Sequence, residues 1–293
     1  MIITSCGNSV PIAKALAKKL NAAYSPLTIS TFPDGDTYLK YNTSVKGKKV
    51  VIVHSFQPDS EKSLYRVIFA AETAKDLGAK KVILVAPYLA FMRQDKRFHT
   101  GEAISSQIMA KHLNCCLDKI MTIDPHLHRY KSLNDIFTIS AVKLTANQLI
   151  GQYIKKNVKN SVIIGPDWES YQWAGAIAKE VGCEHTVLEK TRFSSRHVTS
   201  RMIKPVVLQG KDVVIVDDII STGHTMIEAL KKARAQKARS VIAIGVHGLF
   251  AENGLQKMKK AGFDQIITSN CIEHATNEID VTSLLLEALK KEK

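Results

Sequence analysis

The sequence predicts an α/β fold built from two similar three-layer domains, each with a mainly parallel central sheet. Three observations carry this. Runs of β-branched apolar residues alternate with helix-patterned segments along the whole chain, as βαβ units leave them. The stretch Lys46-Gly47-Lys48-Lys49-Val50-Val51-Ile52-Val53-His54-Ser55 reads like Gln209-Gly210-Lys211-Asp212-Val213-Val214-Ile215-Val216-Asp217-Asp218. Each copy is followed by a helical pattern and a second strand, Val82-Ile83-Leu84-Val85 or Val241-Ile242-Ala243-Ile244, so the chain reads as a duplication.

In order, Ile2 to Thr4 forms a strand, Gly7-Asn8 a turn, and 11–20 a helix. A strand follows over 24–29, then the turn Phe32-Pro33-Asp34-Gly35-Asp36 and a strand over 37–41. Next come the buried-type strand 50–53, a helix over 64–77 and the strand 82–86. Val162-Ile163-Ile164-Gly165 is the counterpart of the opening strand, and the join between halves falls near 144–148. The domains are expected to span 1–146 and 147–293.

Composition limits the function classes. The 293 residues are 45% hydrophobic, enough for two buried cores. No apolar run approaches the ~20 residues a membrane-spanning helix needs, and the start has no basic leader. Cys6, Cys115, Cys116, Cys183 and Cys271 follow no metal or disulfide spacing. The expectation is a soluble, cytoplasmic protein. A formal charge of +14 invites nucleic acid, but the lysines scatter over helix faces and aromatics are only 6%. A surface that steers small polyanions fits better than a groove reader.

The densest chemistry lies in the second half. Val213 to Val216 reads as a strand buried on both faces. It runs into Asp217-Asp218, then Ser221-Thr222-Gly223-His224-Thr225, and then a helix with Ile227 and Leu230 on one face. Free backbone N–H groups at a helix start attract an anion. Two carboxylates beside that anion repel it unless hydroxyl donors or a cation intervene. A phosphorylated sugar meets both demands, with its phosphate in 221–225 and its hydroxyls, or a metal, on Asp217 and Asp218.

Residues 221–225 resemble the phosphoribosyl diphosphate (PRPP) motif of type I phosphoribosyltransferases and PRPP synthetases. Further stretches narrow this. Phe32-Pro33-Asp34-Gly35-Asp36 is similar to the Phe-x-Asp-Gly-Glu segment of PRPP synthetases. Pro87-Tyr88-Leu89-Ala90-Phe91-Met92-Arg93-Gln94-Asp95-Lys96-Arg97 is similar to their ATP segment, and Asp124-Pro125-His126 to their Asp-Leu-His. With Pro166-Asp167, Glu189-Lys190-Thr191-Arg192 and His247-Gly248, the resemblance to the ribose-phosphate diphosphokinase family covers nearly the whole chain.

That resemblance implies phosphoribosyltransferase-like domains and transfer of the diphosphoryl group of Mg²⁺-ATP to the C1 hydroxyl of ribose 5-phosphate. It implies ATP contacts from Phe32, Asp34, Gly35, Asp36, Arg93, Gln94 and Asp95. Ribose 5-phosphate contacts fall to Arg192, Asp217, Asp218, Ser221, Thr222, Gly223, His224 and Thr225. His126 and Asp167 are the metal residues, with His126 preferred over His128 from its spacing to Asp124. Lys190 is the catalytic cation and Arg192 its companion, both in a polar loop after a strand at 186–188. A homo-oligomer built from dimers, up to a hexamer, is implied, because the family's Phe32-type loop reaches a neighbour's ATP.

Departures from the family pattern are Asp36 for Glu, Ser221 for Asp, Gly223-His224 for two small residues, and Trp168-Glu169-Ser170-Tyr171 for a glycine-rich segment. His224 either donates to the phosphate or points outward. Allosteric control by ADP or phosphate is placed in doubt by Phe98-His99-Thr100-Gly101-Glu102. The competing readings are a non-catalytic regulatory relative, which would erode Lys190/Arg192 or the acidic pair, and a base-using phosphoribosyltransferase. The latter would need neither Arg93-Gln94-Asp95 nor the first domain.

Overall fold

The structure is a computed structural model that describes residues 1–192 and 198–292; for 169, 172, 189–192 and 198–201 it describes the backbone alone. The chain divides into two compact units. One comprises Met1–Leu144, Cys271–Glu273 and Val281–Lys293; the other comprises Thr145–Asn270 and His274–Asp280.

The first unit begins with β1 (Ile2–Thr4), α1 (Val10–Leu20) and β2 (Ala23–Tyr24). Ile12, Ala13, Leu16, Ala17 and Leu20 give α1 its buried stripe, the spacing of an amphipathic helix. The strand expected over 24–29 is split at Pro26, which has no N–H to continue a ladder. β3 (Leu27–Thr31) instead pairs antiparallel with β4 (Thr37–Tyr41) in a separate hairpin. β5 (Lys49–Val53), α2 (Ser60–Asp76), β6 (Lys81–Ala86), α3 (Ser105–Cys116), β7 (Lys119–Ile123) and β8 (Ser140–Leu144) follow. α2 starts four residues before the sequence-based expectation because the Asp59 carboxylate accepts the Lys62 N–H at 3.0 Å and caps it. Among the described residues the parallel sheet runs β2-β1-β5-β6-β7-β8. Val50 to Val53 are fully buried at its centre.

The second unit contains α4 (Asn147–Asn157), β9 (Ser161–Gly165), α5 (Tyr171–Val181), β10 (Glu184–Arg192), β11 (Val198–Met202), β12 (Asp212–Ile220) and α6 (His224–Ala235). It ends with β13 (Ser240–Gly248), α7 (Gly254–Ala261), β14 (Gln265–Ser269) and β15 (Asn277–Ile279). Its described sheet runs β11-β10-β9-β12-β13-β14-β15. Apart from the antiparallel β10–β11 pair, it repeats the strand order of the first sheet. The duplication read in the sequence is therefore present in the topology. Val213, Ile215, Ile220, Met226, Ala229, Leu230 and Met258 build one core on the α6–α7 face.

The last helix, α8 (Thr282–Lys290), belongs to the first unit and packs on α1. The first boundary lies at 144/145, but no single cut separates the units, because the chain's end returns to the first. Beyond α8, Glu292 accepts from Lys81 Nζ at 2.8 Å and Lys119 Nζ at 2.6 Å, and its carbonyl accepts from Lys49 Nζ at 2.5 Å. These lysines open β5, β6 and β7. Among the described residues no helix is long and apolar enough to cross a membrane.

Candidate active site

In the second unit β12 delivers Asp217 and Asp218 near its carboxyl end, where ligands of open α/β sheets gather. The Asp218 N–H donates to Asp217 Oδ1 at 3.0 Å. Ser221 to Gly223 then turn the chain into α6. Gly223 takes φ +79° as the residue before the helix and has no side chain to cap it. The first-turn N–H groups are therefore open to an anion. A Cβ on Gly223 would lie 2.7 Å from Met258 Cγ. A Cβ on Gly254, at the start of α7, would overlap the Ser221 carbonyl and sit 3.1 Å from Thr222 C. The loop thus rests on α7, a support that sequence inspection missed; its signal is a glycine at a helix start.

His224, left open by the sequence, is exposed at the first position of α6, with Nδ1 3.4 Å from Thr222 Oγ1. Ser221, Thr222 and Thr225 are partly buried.

Asp167 arrives from the adjacent strand β9. It opens a single 3₁₀ turn, and Ser170 is the partner the sequence reading missed. The Ser170 N–H donates to Asp167 Oδ1 at 3.3 Å, and Ser170 Oγ donates to the Asp167 carbonyl at 2.6 Å. Gly165 makes this possible, because a Cβ there would overlap Ser170 Oγ. Burial, then the charge of Asp218, then that of Asp167 hold the Asp217 carboxyl well above the usual carboxylate range. Three carboxylates gathered this way suit a hard cation or several hydroxyl donors.

Lys190 and Arg192 were expected in a loop; their backbones instead extend β10, with Lys190 opposite Ser200 and Arg192 opposite Val198. Antiparallel pairing with β11 continues the strand past its parallel neighbour. Their side chains, and residues 193–197, lie outside the described residues.

In the first unit Phe32, Asp34, Gly35 and Asp36 form the tip of the β3–β4 hairpin. The Phe32 N–H donates to the Asp36 carbonyl at 2.8 Å, the Gly35 N–H donates to the Phe32 carbonyl at 2.9 Å, and Gly35 takes φ +100°. The Asp36 N–H donates to Asp34 Oδ1 at 3.3 Å. Phe32 is 50% exposed, its ring edge-on to Tyr38 at 5.7 Å.

Arg93 is exposed on the loop between β6 and α3, and Gln94 Oε1 accepts from Ser105 Oγ at the start of α3. Asp95 is buried; its Oδ1 accepts from Arg129 Nη1 at 2.8 Å and its carbonyl accepts from Tyr130 OH at 3.1 Å. Arg129 and Tyr130, which anchor this segment, carry no local sequence signal. His126 and His128 are brought together, with His126 Nδ1 2.8 Å from His128 Nε2.

Profiles of two protein families match the chain. One, described as the N-terminal domain of ribose phosphate pyrophosphokinase, matches residues 1–116, and the phosphoribosyl transferase domain matches 132–284. A ribose-phosphate pyrophosphokinase of Methanopyrus kandleri is 32% identical over 99% of this chain and 99% of its own. The chain belongs to the ribose-phosphate pyrophosphokinase family of enzymes. A ribose-phosphate pyrophosphokinase 2 of Archaeoglobus fulgidus is 35% identical, covering 98% of this chain and 99% of its own. The fold matches that of phosphoribosylpyrophosphate synthetase from Mycobacterium smegmatis, with a TM-score of 0.88 at 22% identity over 99% of this chain and 98% of that one.

Proposed function

We propose that this enzyme makes 5-phosphoribosyl 1-diphosphate from ATP and ribose 5-phosphate. The observation that carries the reading is the β12–α6 junction: two adjacent carboxylates leading into an uncapped, glycine-turned helix start. It sits in a chain whose full-length relatives are named ribose-phosphate pyrophosphokinases.

The C1 hydroxyl oxygen of the sugar attacks the β-phosphorus of ATP and releases its proton to solvent as the new O–P bond forms, while the bond from the β-phosphorus to the oxygen it shares with the α-phosphoryl group breaks to release AMP. Such transfers depend on positioning and charge stabilisation more than on covalent chemistry. Asp217 and Asp218 accept hydrogen bonds from ribose hydroxyls. Ser221, Thr222, Thr225 and the first N–H groups of α6 hold the 5-phosphate, with Gly223 keeping the backbone close to it and His224 at its edge. Phe32, Asp34, Gly35 and Asp36 hold the nucleotide base. Arg93 and Gln94 hold its phosphates, and Asp95, tied to Arg129, fixes the segment that presents them. Lys190 and Arg192 stabilise the charge that develops on the diphosphoryl group.

Asp167, beside Asp217 and Asp218, offers the oxygen donors that suit Mg²⁺, and His126 is its counterpart in the first unit. When bound, Mg²⁺ supplies neutralisation of the diphosphoryl oxygens. A homo-oligomer in which the hairpin tip serves a neighbour's nucleotide completes the proposal.

Phosphorus NMR of purified protein with ATP, Mg²⁺ and ribose 5-phosphate tests it. AMP and 5-phosphoribosyl 1-diphosphate are expected. ADP with ribose 1,5-bisphosphate would overturn the diphosphoryl transfer, and absence of turnover would favour a regulatory relative. Lys190→Ala should slow turnover by several orders of magnitude with ribose 5-phosphate affinity nearly unchanged.

A further inference from the structure

The turn after Asp167 carries an aromatic face that diphosphoryl transfer leaves unused. Trp168 stacks on Tyr171, with centroids 5.4 Å apart and ring planes 18° from parallel. The Tyr171 ring lies 6.2 Å from that of His185. Gly175 keeps this end of the run open for His185, whose Nε2 would lie 3.3 Å from a Cβ there. The other end faces outward: Trp168 is 60% exposed and Tyr171 42% exposed. The turn that holds the indole is fixed by the paired Asp167–Ser170 hydrogen bonds. An open aromatic face is thus held one residue from a carboxylate whose charge acts on Asp217.

We propose that Trp168 and Tyr171 form a stacking platform for the base of a nucleoside 5′-monophosphate. Its phosphate lies on the 221–225 loop and its ribose on Asp217 and Asp218. The inference rests on the ribose 5-phosphate reading above, because a nucleoside 5′-monophosphate is that sugar phosphate with a planar base in place of the C1 hydroxyl. A near-parallel pair of rings ending in an open face is extended best by another flat π system. A saturated sugar ring would cover it only in part. Stacking on one aromatic side chain contributes to base binding without demanding a particular base. The ligand occupies the same loop as ribose 5-phosphate and excludes it.

The chain has two tryptophans, so Trp173→Phe leaves Trp168 as the one emitter. AMP, titrated into this variant, should quench Trp168 saturably, and ribose 5-phosphate should reverse the quenching while causing little by itself. In the otherwise unaltered protein, calorimetry should show Trp168→Ala binding AMP about 10-fold more weakly, with ribose 5-phosphate affinity unchanged and Trp168→Phe restoring most of the loss. The platform is refuted by absent quenching, by quenching that ribose 5-phosphate does not reverse, or by equal weakening of both ligands in Trp168→Ala. If ribose 5-phosphate itself fails to bind the unaltered protein, the sugar-phosphate reading falls first and takes the platform with it.

Discussion

Gly254 and Gly151 show how differently one missing methyl acts. At Gly254 an added Cβ meets the Ser221 carbonyl and Thr222 backbone; at Gly151 it meets Glu180 Cγ and, at 2.9 Å, Glu180 Cβ, between α4 and α5. Gly254→Ala should therefore push the 221–225 loop aside. We expect a loss of about 1–3 kcal/mol in stability and at least a tenfold weaker grip on ribose 5-phosphate, read by thermal melts and calorimetry. Gly151→Ala presses on Glu180 Cβ, which no rotamer can move, so it should push α4 off α5 and lower stability while leaving the grip on ribose 5-phosphate nearly unchanged. Legibility follows the same distinction. The strand-to-helix junction that carries Asp217, Asp218 and the 221–225 turn was readable because its pattern is consecutive along the chain. Ser170 as the partner of Asp167, Arg129 as the partner of Asp95, and Gly254 as the floor of the loop depend on contacts between separated residues.

The β3–β4 hairpin and the end of α8 separate function from stability at the level of elements. Phe32 makes one edge contact, with Tyr38, and is half exposed, so Phe32→Ala should cost less than about 1 kcal/mol. It should nonetheless raise KM for ATP several-fold, measured by initial rates; an unchanged KM would remove Phe32 from the nucleotide site. At the other end of the chain, burial pushes the Glu292 carboxyl up, but hydrogen bonds and charge from Lys119 and Lys81 outweigh it and leave the group below its ordinary value. Because the folded value lies below the unfolded one, the clamp contributes fully above the ordinary carboxylate range near pH 4.3. Its contribution is lost as pH falls through the folded value. Glu292→Gln should lower stability at neutral pH by about 1 kcal/mol and flatten the acid limb of the melting profile. At this scale the sequence misled in two places: Pro26 split an expected strand, and pairing with β11 turned an expected loop at Lys190 and Arg192 into strand. Hydrophobic periodicity reports burial and registers neither a missing N–H nor a hairpin partner.

The net charge of +14 is a property of the entire chain. Its effect on polyanionic substrates should be screened as the Debye length shrinks from ~10 Å at 0.1 M salt to ~3 Å at 1 M. KM for ATP should accordingly climb with ionic strength while kcat changes little; a salt-independent KM would leave the lysines without a steering role. The two sheets share a strand order, and this was legible because both copies keep the Gly-Lys-x-Val-Val-Ile-Val run, whose branched side chains suit a strand covered on both faces. The ownership of the last helix was not legible, since an amphipathic pattern shows that a face is buried without showing what buries it.

That ownership bears on how the protein comes into being. Most of the first unit is synthesised ahead of the second, yet it lacks α8 and the Glu292 clamp until the second has been made. The second unit is contained within residues 145–280 and has all of its own strands before α8 is synthesised. Vectorial synthesis therefore lets the later unit finish first, while the earlier one waits with α1 unpaired from its helical partner. Chains truncated after residue 280 and released should show protease-resistant second units and protease-sensitive α1 segments, a reversal of the order in which the earlier-made domain matures first.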